Sequence, residues 1–194
     1  MSDLLYELRE KAKEEGNPVL RDKSFELLKE TVTKRKPQKI LEIGVNVGLS
    51  GIAMLLCSEN ASLTGIEIDE TAKEKARENY KLFDVEKRAK IFLGDASEII
   101  PLLTGEYDFI FLDGPKGHYA EYLPHLLKIL KKGGVLFADN VLFRGYVSGA
   151  VKTPHRYMTT KHSMERFIAE ITANKGLKTQ IYDIEDGVSV TIKL

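Results

Sequence analysis

The sequence predicts an α/β fold built on a seven-stranded, mostly parallel sheet that ends in an antiparallel hairpin. From Lys39 onward, short apolar runs alternate with amphipathic segments, as repeated strand–helix units do. Two runs, FIFLD at 109–113 and VLFAD at 135–139, end in a carboxylate and flank a helical segment, so they should be parallel neighbours. The last two runs flank EDG at 185–187, and Asp-Gly between alternating runs is typical of a β-hairpin.

Two amphipathic helices are expected before this alternation, at 2–15 and 22–35, with Asp22 as the N-cap of the second. The linker at 141–161 lacks clear periodicity, and loops of that length in compact domains are usually functional. In all, seven strands are predicted, at 39–44, 62–68, 89–95, 108–113, 134–139, 177–184 and 188–194. The helices after the first two are predicted at 49–58, 70–83, 97–103, 118–131 and 162–174.

Length and composition favour a single soluble domain over 1–194, with amino-terminal helices in 1–36 and a catalytic core at 39–194. Lys+Arg and Asp+Glu both number 29, so the net charge of zero argues neither for nor against a nucleic-acid partner. The single cysteine, Cys57, cannot form an internal disulfide and is expected to be buried. Without a signal-peptide core or a membrane-spanning segment, a cytoplasmic location with no membrane association is expected.

A divalent-metal site is predicted at the edge where the two carboxylate-ending strands finish. Asp113 and Asp139 should emerge there together, with Asn140 beside the second. Carboxylate and amide oxygens are the hard ligands that Mg²⁺ or Mn²⁺ prefers. Lys116 follows three residues after Asp113 and is the candidate catalytic residue. Isolated strand-end aspartates often only cap the next segment, but their combination with an amide and a lysine favours the metal.

A nucleoside-cofactor site is predicted at three earlier strand ends. Gly44 and Gly48 occupy the turn after the first strand, where glycine permits close backbone approach to a ligand. Glu67 ends the second strand and can accept hydrogen bonds from ribose hydroxyls, while Asp95, followed by Ala96, ends the third strand near an adenine edge. Each residue alone would equally suit a turn or a cap. The G-x-x-x-G spacing differs from the dinucleotide fingerprint and disfavours a nicotinamide-dependent oxidoreductase.

Together these motifs resemble the class I S-adenosylmethionine-dependent methyltransferases, in particular the metal-dependent O-methyltransferases related to catechol and caffeoyl-coenzyme A O-methyltransferases. The matching motifs are E-x-G-x-x-x-G-x-S at 42–50, Glu67, D-x-x-K-x-x-Y at 113–119 and A-D-N at 138–140. The resemblance implies a Rossmann-like doubly wound fold, S-adenosylmethionine as the cofactor, and a homodimer. It also implies cofactor contacts from Glu42, Gly44, Gly48, Ser50, Glu67, Asp95, Ala96 and Asp113, metal binding by Asp113, Asp139 and Asn140, and Lys116 beside the reacting hydroxyl.

The acceptor is expected to present two adjacent oxygens to the metal, as catechols and 5-hydroxyuridine do. Residues 139–161 resemble the corresponding region of the bacterial tRNA 5-hydroxyuridine methyltransferases of this family. Residues 141–162 contain four Lys or Arg, two His and no acid, a local charge that suits RNA phosphates. We therefore predict a tRNA partner. The candidate substrate residues are Tyr119, Arg144, Arg156 and Lys161, with Tyr146 and Tyr157 available to stack on bases.

Two other functions remain open. A small catechol-like or phenolic metabolite offers the same pair of oxygens, although Ser189 stands where the catechol enzymes carry a substrate-contacting glutamate. The basic linker would then be a solvated lid. A non-catalytic nucleotide-binding domain is the remote alternative, but such a domain has no need of Lys116 beside three oxygen ligands.

Overall fold

The computed structural model describes residues 2–194, apart from the side chain of Ser2. The strands are β1 (Lys39–Ile43), β2 (Ser62–Glu67), β3 (Ala89–Leu93), β4 (Tyr107–Leu112), β5 (Leu130–Asp139), β6 (Leu177–Tyr182) and β7 (Val188–Lys193). The helices are α1 (Ser2–Glu14), α2 (Asp22–Arg35), α3 (Leu49–Cys57), α4 (Glu70–Leu82), α5 (Ala96–Ile99), α6 (Tyr119–Ile129) and α7 (Met158–Ala173).

The strands form one seven-stranded sheet in the order β3-β2-β1-β4-β5-β7-β6. Strand β7 runs antiparallel to both of its neighbours, β5 on one side and β6 on the other. This order confirms the predicted α/β class with its carboxyl-terminal antiparallel hairpin. The chain divides into two compact units, the first ending at Ala96 and the second being Ser97–Leu194, and each is described in turn. The single-domain organisation stays a prediction.

The first unit packs α1, α2 and α3 beside the parallel strands β1, β2 and β3. Arg9 is buried under α2, where its guanidinium lies 3.7 Å from the centre of the Phe25 ring and donates to Asp22 at 2.8 Å.

The prediction that Asp22 is the N-cap of α2 is wrong. Arg21 holds the cap position in an extended conformation and Asp22 is the first helical residue. Cys57 is half-buried rather than fully buried.

The second unit begins its sheet with β4 and β5, which run parallel with Leu112 beside Ala138. Strand β5 starts at Leu130, four residues before the predicted start at 134, and α6 ends correspondingly earlier, at Ile129. Leu130 pairs with Tyr107, and a register shift follows before Phe109 pairs with Val135. The extra length therefore follows from a strand irregularity, which hydrophobic periodicity alone does not reveal.

The linker after β5 is shorter and better anchored than expected. A 3₁₀ turn covers 155–157 and α7 follows at Met158, so the irregular part is 140–154. The N–H groups of Val141 and Leu142 donate to the carbonyls of Gly187 and Asp186 in the β6–β7 turn, each at 2.9 Å. Within residues 2–194, no helix combines the length and apolar character needed to cross a membrane.

Gly187→Ala should destabilise the second unit because a Cβ there would lie 2.3 Å from Leu142 Cγ, at a φ of +81°. The overpacking should lower the free energy of unfolding by about 1–3 kcal/mol, measured by urea denaturation. Gly149→Ala is the matched control, since it has a φ of +74° but nothing within 4 Å. Equal losses from the two variants would show that the Leu142 contact does not hold the linker.

Candidate active site

The Glu67 carboxylate at the end of β2 is held by backbone donors. Asn46 N–H donates to Oε2 at 2.7 Å, and the N–H groups of Ile68 and Asp69 donate to Oε1 at 2.8 and 2.9 Å. The residue is only 8% exposed. These donors stabilise the ionised carboxylate and fix its orientation. A carboxylate accepts about four hydrogen bonds, so there is room for about one further donor, such as a ribose hydroxyl.

Glu42 lies fully buried in β1, where the hydroxyl of Ser50 from the first turn of α3 donates to its carboxylate. A Cβ at Gly51 would come within 2.8 Å of Glu42 Oε2 and 2.2 Å of the Tyr80 hydroxyl. Burial, and then the charge of Glu42, raise the pKa of Tyr80 well above its usual value. Tyr80 therefore stays protonated beside the carboxylate. Sequence reasoning paired Glu42 with Ser50 by motif but missed Tyr80, which α4 contributes from distant sequence.

The glycine turn has the conformation that its sequence predicts. Gly44 and Gly48 adopt φ of +88° and +84°. A Cβ at Gly48 would lie 2.7 Å from Tyr80 Cε1 and 3.1 Å from Ala76 Cβ, so this glycine also lets α4 pack closely. Asp95 is half-buried after β3, and Gly94 before it donates to the Glu67 carbonyl at 2.8 Å. Ala96 is buried at the start of α5.

The predicted metal residues meet at the ends of β4 and β5. Because Leu112 lies beside Ala138, Asp113 and Asp139 are the next residues of two neighbouring parallel strands. Asp139 is buried, whereas 26% of the Asp113 side chain is exposed. Lys116, in a 3₁₀ turn, donates to Asp113 Oδ1 at 2.9 Å. Asn140 follows directly with a left-handed φ of 57°.

The residue types fit a hard cation, because two carboxylates and one amide follow each other at the ends of one strand pair. Among residues 2–194 no group of three His, Cys, Asp or Glu is arranged as a metal site. A set of two carboxylates and an amide does not need such a group. The metal itself is therefore a matter of proposal.

Tyr119, a candidate substrate contact that could instead pack the start of its helix, joins the two strand ends by hydrogen bonds. Its ring is fully buried, and its hydroxyl donates to the carbonyls of Leu112 at 3.0 Å and Asp139 at 3.3 Å. Burial, followed by the charges of Asp113 and Asp139, raises the pKa of Tyr119 well above its usual value. The protonated hydroxyl therefore joins the two strand ends from inside, and its burial argues against contact with an acceptor.

The linker contains an aromatic cluster, which is formed by Phe143, Tyr146 and Tyr157. The rings of Tyr146 and Tyr157 stack with centroids 5.7 Å apart, and Phe143 packs edge-on against both. Tyr146 is only 8% exposed. The expectation that Tyr146 stacks on an exposed base is therefore wrong, because its ring is already part of the cluster.

The basic side chains of the linker fall into two groups. The guanidinium carbons of Arg144 and Arg156 lie 5.5 and 4.7 Å from the centre of the Tyr157 ring, and both residues are exposed. Lys161 instead approaches Glu165 of α7, with 3.4 Å between Nζ and Oε1. The acid that balances Lys161 lies just outside the acid-free segment. Ser189 is fully buried in β7.

The sheet order, the glycine turn and the acidic strand ends define the class I methyltransferase architecture. A model of the O-methyltransferase family matches residues 2–194, and the chain belongs to that family. It is accordingly an O-methyltransferase by family.

Similar proteins support this assignment. The caffeoyl-CoA O-methyltransferase of Stellaria longipes is 32% identical over 120 residues, which is 58% of this chain but only 50% of that protein. A crystal structure from Staphylococcus aureus, provisionally assigned as a caffeoyl-CoA O-methyltransferase, has a TM-score of 0.88 and 27% identity, and the match covers 97% of this chain and 91% of that one. The structure of a Podospora anserina methyltransferase bound to S-adenosylhomocysteine (SAH) has a TM-score of 0.80 and 26% identity. The match covers 91% of this chain and 80% of that one.

Tyr119→Phe should destabilise the protein by about 1–3 kcal/mol, because two buried carbonyls lose their donor. Urea denaturation measures the loss. Tyr107→Phe in β4 is the control, since the Tyr107 hydroxyl makes no hydrogen bond to any residue in the described range 2–194 while its ring is similarly buried. Unchanged stability of Tyr119→Phe would show that these hydrogen bonds do not hold the strand ends.

Proposed function

We propose that this protein is a divalent-metal-dependent O-methyltransferase whose acceptor carries two adjacent oxygens. The observation that supports it most is the register of β4 and β5, which makes Asp113 and Asp139 neighbours with Asn140 next in sequence. Lys116 lies against Asp113, so a positive charge is held at the same edge. A metal-dependent transfer uses both features.

Asp113, Asp139 and Asn140 are the residues that would hold Mg²⁺ or Mn²⁺. Such a cation, when bound, lowers the pKa of a coordinated hydroxyl and fixes its position. The chain contributes the negative charge of two carboxylates and one neutral amide oxygen. It also limits the position of these groups, because Tyr119 ties the backbone of both strand ends.

The methyl donor would be held by the first unit. S-adenosylmethionine supplies a methyl group on a positively charged sulfur. Glu67 would accept from the ribose, and Gly44, which is half-buried with a positive φ, would let the cofactor approach the backbone of the turn. Asp95 would contact the adenine, and Glu42 with Ser50 would lie at the amino-acid end.

The contacts of Lys116 favour an electrostatic role over a proton-accepting one. In methyl transfer the sulfur–carbon bond breaks, an oxygen–carbon bond forms, and the acceptor hydroxyl releases its proton to solvent. Lys116 forms an ion pair with Asp113, with 2.9 Å between Nζ and Oδ1. As a cation it would stabilise negative charge on the acceptor oxygen.

For the acceptor we propose 5-hydroxyuridine in a tRNA anticodon loop, which would become 5-methoxyuridine. Support comes from the two exposed arginines, Arg144 and Arg156, that rest on one Tyr157 ring. Guanidinium groups held in this way bind phosphate at a smaller entropic cost than free side chains do. Lys152, also exposed, adds a third positive charge to the same segment.

A small phenolic acceptor is the second candidate. The names of the relatives favour it, since several are caffeoyl-CoA O-methyltransferases. The burial of Tyr146 and the pairing of Lys161 also reduce the number of side chains available to RNA. Both candidates use the same metal and cofactor residues, so only the acceptor experiments separate them.

Removal of the metal should abolish turnover, and Mg²⁺ or Mn²⁺ should restore it. Asp139→Ala should lower kcat by at least about 100-fold, as loss of a ligand exceeds the usual loss from a supporting residue, while calorimetric binding of S-adenosylhomocysteine is retained. Asp183→Ala, at an exposed position before the β6–β7 turn, is the control and should keep full activity. Full activity of Asp139→Ala in chelator-treated buffer would rule out the metal mechanism.

Arg156→Ala should weaken tRNA binding, and the slope of log affinity against log salt should become shallower by about 0.7 for each phosphate that the variant no longer neutralises. Methylation of a small catechol by this variant should remain nearly unchanged. Arg166→Ala is the matched control, because Arg166 is an exposed arginine on α7 that contacts Glu170. A wild-type protein that methylates phenols efficiently and leaves tRNA unmodified would assign the chain to the small-molecule candidate instead.

A further inference from the structure

Asn46 links two separate parts of the first unit. Its backbone N–H donates to Glu67 Oε2 at 2.7 Å, and its side-chain Nδ2 donates to the carbonyl oxygen of Pro18 at 2.6 Å. Its φ of 48° lies in the left-handed region, which asparagine tolerates better than most residues. One residue of the glycine turn therefore contacts both the acid proposed for ribose binding and the chain that precedes α2.

Pro18 belongs to an irregular segment, residues 17–21, that joins α1 to α2 and that we name the strap. The strap is also fixed from the side of α1. The N–H of Asn17 donates to a carbonyl of α1 at 2.9 Å, and the carbonyl of Leu20 accepts from the buried Arg9 at 2.9 Å. The strap is thus anchored to α1, and the hydrogen bond from Asn46 to Pro18 links it to the glycine turn.

We propose that Asn46 is a positioning residue for the cofactor, orienting the Glu67 carboxylate through its backbone and fastening the strap through its side chain. This inference rests on the proposed role of Glu67 in cofactor binding. Both hydrogen bonds arise from one residue with an uncommon backbone conformation. Movement of the strap would therefore shift the Asn46 N–H and, with it, the Glu67 carboxylate that accepts from it. Cofactor binding and strap ordering should therefore stabilise each other by the same free energy.

Two substitutions separate the effect of the Asn46 side chain from the effect of its backbone conformation. Asn46→Gly keeps the positive φ but removes the donor to Pro18, and Asn46→Asp keeps the shape but places an acceptor against that carbonyl. Both should weaken calorimetric binding of S-adenosylhomocysteine by about fivefold, the effect of one hydrogen bond. The KM for S-adenosylmethionine should rise with little change in kcat. Asn17→Ala is the control within the strap, since its side chain donates to Glu15, at 3.5 Å, and takes no part in the Asn46 link.

Hydrogen exchange of the strap amides distinguishes coupling from a general loss of stability. In the wild-type protein, S-adenosylhomocysteine should slow exchange of the amides of residues 17 and 19–21, since Pro18 has no N–H. In both Asn46 variants this protection should disappear. Glu67→Ala should bind S-adenosylhomocysteine at least about tenfold more weakly than the wild type. If it does, wild-type affinity for S-adenosylhomocysteine and unaltered strap protection in Asn46→Gly and Asn46→Asp would overturn the inference. Wild-type affinity in Glu67→Ala would instead refute the cofactor assignment on which the inference rests.

Discussion

The parallel pairing of β4 with β5 is the constraint on which the candidate metal site of the second unit depends. Two carboxylates repel each other, so a chain brings them together only where other interactions fix the backbone. Here the register that sets Leu112 beside Ala138 fixes it, and buried Phe109, Phe111 and Phe137 pack across the same strand pair. The charged edge is therefore a consequence of apolar packing beneath it.

The first unit solves a similar problem with backbone donors. Glu67 is nearly buried at the end of β2, yet three N–H groups from the two adjoining turns surround its carboxylate. Glu42 is buried more deeply and has Ser50 and the protonated Tyr80 beside it. Backbone and hydroxyl donors of this kind hold a negative charge without adding a positive side chain that would repel a sulfonium cofactor.

Much of the fold followed from the sequence because strand–helix alternation and Asp-Gly turns are local patterns. The placement of Asp113, Lys116 and Asp139 followed from the strand–helix–strand pattern, because the carboxyl ends of successive parallel strands lie at the same edge of the sheet. What did not follow depends on distant contacts. The motif places a tyrosine at position 119 but does not say whether its side chain faces a substrate or the core. The packing of α6 against α7 puts the Tyr119 ring in the core, against Phe167. The early start of β5 likewise depends on pairing with Tyr107 of another strand.

The linker shows how three-dimensional contacts change the meaning of a charge pattern. Along the sequence, residues 141–162 form a basic segment without acids, but Glu165 approaches Lys161 and His162 from the next helical turn. The basic residues without a contact to Glu165 therefore lie in the part that precedes α7, where the Asp186 carboxylate also accepts from the Arg144 N–H at 2.8 Å. There the guanidinium groups of Arg144 and Arg156 lie over the Tyr157 ring, and Tyr146 and Phe143 pack against that ring. The positions of both guanidinium groups therefore depend on the aromatic cluster as a whole, since each depends on a ring that two other rings keep in place.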